Sequence, residues 1–227
     1  MKERLTLYHG SCSIIEHPQF GKGRPYNDYG LGFYCTEHVE LAREWACVSA
    51  ESDGYVNRYH LDLRGLSVLD LSSGAYGILH WLALLLENRV VDTSLPLAAQ
   101  GKAYLREQFA VDTRSFDVIR GYRADDSYFS FARAFLGNAI SVEQLAGAMK
   151  LGDLGEQIVL KSERAFNLVD FVSADPVASA VYYPKRKQRD DEARAHYRAQ
   201  AQKQGFEGLY LLDLVREGIG ANDARLR

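Results

Sequence analysis

LYHGSCSII at residues 7–15 and NDYGLGFYCT at residues 27–36 are the two stretches on which the reading of this chain turns. RLTLYHG alternates apolar and polar positions, with Leu5, Leu7 and His9 on one face, and predicts a first strand. His9 stands where that strand meets a loop, a place from which a side chain reaches a ligand, and Gly10 lets the backbone come close. The second stretch sets two glycines and strand-forming aromatics before TEHVELAREWACVSA. That segment predicts a helix with Thr36 as N-cap and Val39, Ala42, Trp45 and Ala46 on one stripe. Tyr29 and Tyr34 are polar aromatics suited to flanking a flat ring. Singly, each feature also has a plain structural reading, and the Gly-x-Gly lacks the third glycine of a dinucleotide fingerprint.

Outward from these stretches, strands gather at both ends of the chain and helices in the middle. YVNRYHLDL alternates with period two and reads as a strand, LSVLDL as a shorter one. YGILHWLALLLENR and LPLAAQGKAYLREQFA are helical, and FDVIRGY returns to strand. DDSYFSFARAFL reads as a helix capped by Asp125 or Asp126, whose carboxylates suit the positive end of the macrodipole. SVEQLAGAMK carries a capping box of Ser141 with Gln144. EQIVLKS is a strand, ERAFNLV a short helix and DFVSADPV a turn or strand exit. KRKQRDDEARAHYRAQAQKQ is polar on nearly all faces and reads as a solvated helix or a linker. GFEGLYLLDLVREG then supplies apolar residues that must dock. The expected architecture is one α+β domain over 1–227, with a helical insertion at about 75–150 and the polar helix or linker at about 184–205.

A formal net charge of -3 gives no whole-molecule basic field for nucleic acid, leaving only room for a local patch. The longest apolar run, YGILHWLALLLENRVV, is broken by His80 and Glu87, and a bilayer span needs ~20 apolar residues. No membrane association and no signal peptide are expected. Cys12, Cys35 and Cys47 form no C-x-x-C pair and fit a reducing compartment, so the expected location is cytoplasmic, with delivery as an effector compatible. Asp125 and Asp126 have no His or Glu at ligand spacing, and no metal is expected.

A strand ending in His-Gly, then Gly-x-Gly-Phe-Tyr before a helix, then a glutamate at a distant strand edge, resembles the H-Y-E signature of the ADP-ribosyltransferase superfamily. The chain is more similar still to one bacterial branch, the domain-of-unknown-function family numbered three-nine-nine-zero. LYHGS, NDYGLGFYCT, YRADDSYF and EQIVLKSERAFNLVDF follow in that branch's order, over residues 5 to about 172. The resemblance implies an ADP-ribosyltransferase-like split β-sheet core that takes NAD as co-substrate and needs no metal. His9 would hydrogen-bond the ribose, Gly10 would hold the nicotinamide amide through its backbone, and Tyr34 would stack on the nicotinamide with Tyr29 as the opposite wall. Ser11 and Gly32 fall in the same stretches and join the cofactor-binding set, as does Asp28. Lys22 and Arg24 lie on a Gly- and Pro-rich loop and suit the pyrophosphate, because guanidinium matches phosphate oxygens bidentately. The third position is Glu156 if EQIVL follows the superfamily's Glu-Tyr-Ile-Val pattern, or Gln157 if the branch's glutamine is its equivalent. Adjacent strand residues alternate, so only one can face the cleft. The superfamily pattern favours Glu156.

The implied activity is mono-ADP-ribosyl transfer to a macromolecular acceptor, protein or nucleic acid, with release of nicotinamide. A carboxylate near the ribose would stabilise the oxocarbenium charge, whereas a glutamine would hold a hydroxyl without adding charge. Arg123, Asp125 and Asp126 are expected at the acceptor end. Bacterial relatives of this kind imply a toxin or effector, with an antitoxin as a further partner. The alternatives are an NAD glycohydrolase and a catalytically degenerate NAD- or ADP-ribose-binding module, whose signature would be Gln157. RNA 2'-phosphotransfer on the same fold would want further arginines, and His9 with Tyr34 argues against it. No Glu-x-Glu loop directs transfer to arginine, since LGEQ offers one glutamate.

Overall fold

The computed structural model describes residues 3–124, 126–149, 156–204 and 207–226, and within them seven strands and eight α-helices. One sheet has the order β1 (Arg4–Ser11), β3 (Gly54–Asp62), β7 (Val169–Val177), antiparallel throughout. The other has the order β2 (Phe33–Cys35), β6 (Glu156–Leu160), β5 (Val118–Tyr122), β4 (Val68–Asp70), with only β4 and β5 parallel. The class is therefore α+β, as the distribution of patterns along the chain implies. The sheets meet at an isolated bridge between Tyr8 of β1 and Thr36 just past β2, with N–H···O bonds of 2.8 and 2.9 Å.

Alternation assigns the faces of the second sheet. Phe33, Cys35, Val118, Ile158 and Leu160 pack with Leu5, Leu7, Tyr59 and Leu61 of the first sheet. Tyr34, Ile119 and Val159 turn the other way, onto a helical core. That core is built by α2 (Ile78–Asn88), α3 (Pro96–Gln108), α4 (Asp126–Leu136), α5 (Val142–Met149) and α8 (Leu211–Glu217), around Trp81, Leu85, Phe109 and Phe135. Leu211 and Leu214 of α8 are fully buried there, each contributing ~1.5–3 kcal/mol of transfer free energy, so the apolar tail of the chain docks as expected. β5 enters between α3 and α4, so the central helices are not one continuous insertion.

Several local expectations change. Thr36 does not cap a helix: it is consumed by the bridge, and α1 (Val39–Ala46) starts after it with His38 at the N-cap. DFVSADPV is not a turn but most of the nine-residue β7, an edge strand, where the missing N–H of Pro176 is tolerated. The polar stretch is a helix, α7 (Ser179–Gln204), packed on α1. The capping box does form: Gln144 N donates to Ser141 Oγ at 3.2 Å and Ser141 N to Gln144 Oε1 at 2.9 Å. α6 (Glu163–Phe166) follows β6, with Ser162 Oγ accepting from Ala165 N. Cys12 is exposed, Cys35 and Cys47 are buried, and all three are free. Among the described residues no helix is long and apolar enough to cross a membrane.

Candidate functional site

A cavity of about 520 Å³ opens where the two sheets meet, and His9, Tyr34 and Gln157 all line it. His9 Nδ1 lies 2.7 Å from the carbonyl oxygen of Tyr34. A carbonyl can only accept, so Nδ1 carries the proton and Nε2 is left as an acceptor. Burial lowers the His9 pKa from 6.5, opposed by that hydrogen bond, and the imidazole is neutral at neutral pH. Its ring packs on Phe33 with centroids 4.5 Å apart.

Asn57, buried on β3 opposite His9, holds the turn that follows. Its Oδ1 accepts from Ile15 N at 2.9 Å, and its Nδ2 donates to His9 O, Ser11 Oγ and Ser13 O at 3.3, 3.1 and 3.2 Å. Ser11 serves this clamp and does not line the cavity. Gly10 is also absent from the lining: a Cβ there would overlap the carbonyl of Ala42 and the amide of Ala46, so glycine lets β1 lie directly on α1. In an antiparallel ladder the polar groups of alternate residues share an edge. Tyr8 spends its pair on Thr36, and Gly10, two residues on, presents its N–H and C=O along that same edge beyond the bridge.

Tyr34 presents its ring to the cavity, but its hydroxyl is committed, donating to Gly30 O at 2.5 Å and accepting from Tyr29 N at 3.0 Å. Burial raises its pKa far above the ordinary phenol range. Tyr29 is not the opposite wall. It is buried in the helical core, its hydroxyl donating to Tyr122 O at 2.6 Å in space that exists because residue 121 is glycine. Lys161 Nζ donates to Tyr29 O and Leu31 O at 2.5 and 2.6 Å and seats this loop on the end of β6, with Gly32 at the cavity wall.

Of the two neighbours on β6, the register turns Gln157 and not the favoured Glu156 toward the cavity. Gln157, buried opposite Gly121, faces the cavity, and its Nε2 donates to Asp28 Oδ2 at 2.9 Å. A carboxylate accepts only, so the amide oxygen is the end left for a ligand. Glu156 lies opposite Tyr122 on the other face, bonded to Arg120, whose Nη2 also donates to Glu37 at 2.6 Å. Asp28 is the one carboxylate among the described lining residues. It accepts from Ala124 N at 2.9 Å and lies 3.6 Å from Arg89 Nη1; burial raises its pKa against these partners.

Five cations complete the lining: Lys22, Arg24, Arg89, Arg123 and Arg186. Arg123 stacks its guanidinium 4.6 Å over the ring of Trp45, itself part of the wall. Asp125 lies outside the described residues, and Asp126 starts α4 with its side chain likewise outside them. No local pattern in the sequence marks Arg89, Trp45, Asn57 or Arg186 as a site residue. Arg89 merely follows an apolar helix, Trp45 counts as core stripe, and Arg186 sits in a stretch that reads as solvated. Among the described residues no group of three or more His, Cys, Asp or Glu could hold a metal ion. The lining thus offers neutral acceptors at His9 and Gln157, the aromatic rings of Phe33, Tyr34 and Trp45, and clustered positive charge. That set suits a ligand with hydroxyls, a flat ring and phosphates.

Residues 5–171, from β1 into β7, match the model of a family described as "Protein of unknown function (DUF3990)". No curated protein and no solved structure matches the chain.

Proposed function

The chain belongs to the DUF3990 family, and we propose that it binds NAD in this cavity as a mono-ADP-ribosyltransferase built on a split-sheet core of the ADP-ribosyltransferase kind. One observation carries the reading: His9, Tyr34 and Gln157, from three strands of two sheets, line a single cavity together with Lys22 and Arg24. Nε2 of His9 and Oε1 of Gln157 accept from ribose hydroxyls, the Tyr34 ring flanks the nicotinamide, and the two cations of the 22–24 loop take the pyrophosphate. The C–N bond to nicotinamide breaks with its electron pair leaving on nicotinamide. The acceptor's nucleophile bonds to the anomeric carbon and releases its proton. Gln157 brings no charge of its own, but its amide is polarised by Asp28 through the 2.9 Å bond. A toxin or effector role with an antitoxin partner accompanies this reading.

The same glutamine favours a second reading, an NAD- or ADP-ribose-binding module without turnover. Intact-mass measurement of the protein incubated with NAD, together with assay of free nicotinamide and ADP-ribose, separates the options. Added ADP-ribose on protein or on an offered acceptor supports transfer, and free ADP-ribose alone indicates a glycohydrolase. Thermal stabilisation by NAD without nicotinamide release indicates the binding module. Absence of any NAD-dependent shift at millimolar concentration sinks the assignment.

A further inference from the structure

We infer that Trp45, Arg123 and Arg186 form a second subsite on the rim of this cavity, which takes one base and one phosphate of a single-stranded nucleic-acid acceptor. The inference rests on the donor reading above and names its acceptor. Arg89 and Arg123 both act on Asp28. Lys22, Arg24 and Arg186 have no carboxylate within ion-pair distance among the described residues. A pyrophosphate carries about two negative charges, which Lys22 and Arg24 match from one loop. Arg186 is left over, on a different element and beyond the family-matched residues 5–171.

Its position is built rather than incidental. Tyr182, Arg186 and Arg189 follow helical spacing on one face of α7. Arg189 donates to buried Glu44 of α1 at 2.9 and 2.6 Å, and Tyr182 receives Arg43 at 3.3 Å. Ser179 anchors the start of α7 on Asp53 at 2.8 Å. Arg186 itself spends little, donating from Nη1 to Cys47 O at 3.4 Å, so most of its N–H donors remain for a ligand. That bond ties Arg186 to the end of α1, and the guanidinium lines the same cavity as the indole that Arg123 stacks on. Trp45 Nε1 is buried without a hydrogen-bond partner among the described residues, a deficit that an acceptor atom nearby would relieve. An aromatic platform beside a phosphate-binding cation is how single strands are held. A formal net charge of -3 disfavours a duplex lying along the surface but not a short strand entering one basic cavity. In transfer, a nitrogen or oxygen of that strand bonds to the anomeric carbon as nicotinamide leaves with the C–N electron pair, and its proton passes to solvent.

Fluorescence anisotropy of a labelled single-stranded oligonucleotide, with salt titration, tests this. The parent should bind at low salt. Arg186→Gln should weaken binding about tenfold and flatten the slope of log affinity on log salt by ~0.7–1, one phosphate's worth. Trp45→Leu should weaken it about tenfold with the slope kept. Lys187→Gln, exposed and next along the same helix, should stay within about twofold. Melting curves confirm that each variant folds. A parent that turns over NAD yet ignores the oligonucleotide and labels protein overturns this inference alone, and so does equal loss in Arg186→Gln and Lys187→Gln. Arg186-dependent oligonucleotide binding in a chain that never binds NAD upholds the subsite and sinks the donor reading alone.

Discussion

The cavity beside His9 and the one beside His80 have similar volumes, about 520 and about 640 Å³, yet their linings have little in common. Around His80 stand Tyr76, Ile78, Phe109, Val142 and Leu226, and none of the described lining residues is Lys or Arg. Burial lowers the pKa of both histidines. Their tautomers are opposite. His9 Nδ1 donates to Tyr34 O, whereas His80 Nδ1 accepts from Gly77 N at 3.1 Å, closing the first turn of α2 and leaving the proton on Nε2. One imidazole is held neutral with an acceptor toward a cationic cavity; the other is a helix cap against an apolar one. A half-buried histidine with a backbone partner is therefore no sign of a site. The proton's position and the surrounding charge decide.

The contrast breaks most violently at the glycines. Gly10→Ala should cost about 3 kcal/mol or more, because the new methyl meets backbone of α1, which cannot rotate away. Gly77→Ala, where the nearest atom to a Cβ is His80 Nδ1 at 3.9 Å, should cost under about 1 kcal/mol. Equal losses in thermal or urea melts would show that β1 and α1 separate easily.

At the histidines, His9→Ala should cut NAD turnover by about two to three orders of magnitude. His80→Ala should lose about 1 kcal/mol of stability, as a cap does, with turnover within about twofold. Comparable activity in both variants would remove the functional distinction between the cavities.

The same contrast can be sharpened within one strand. Gln157→Ala should weaken NAD binding about tenfold or more, since it also removes one of the hydrogen-bond donors to buried Asp28. Glu156→Gln, which disturbs only a part-exposed pair with Arg120, should leave binding within about twofold and stability within about 1 kcal/mol. Calorimetric titration of both variants reads this directly, and the reverse pattern would put Glu156 in the cleft.

The smallest effect is acid dependence. The folded pKa of His9 lies below its unfolded value of 6.5, so the unfolded chain takes the proton first. The stability His9 contributes is full above about pH 6.5 and is lost as pH falls through the folded value. His80 adds a step of the same sign. Only His9 presents its acceptor to the ligand, so NAD affinity should hold through neutrality and fall on the acid side, unchanged in His80→Ala. A binding profile that shifts with His80→Ala would refute the assignment of roles.

Much of this was legible without the fold. Leu5 and Leu7 alternate as a strand must when one face is buried, Ser141 with Gln144 announces its helix start, and the ordered motifs mark His9 and Tyr34, with Glu156 favoured over Gln157 on the strand that joins them. Thr36 and DFVSADPV misled because pairing between distant segments overrode local preference: a bridge to Tyr8 claimed one, and the ladder to β3 claimed the other.

Local order in the sequence thus determined most of the elements, the class and several of the cavity's residues, His9 and Tyr34 among them, since periodicity and capping act over a few positions. Which side of β6 faces inward was beyond its reach, because Glu156 and Gln157 alternate in any strand and only Arg120 and Asp28, from other segments, distinguish the faces. The packing of α7 on α1 likewise brings Arg186 to the same cavity as Trp45 across 141 positions of chain. No local pattern carries that distance; it exists only once Arg189 finds Glu44.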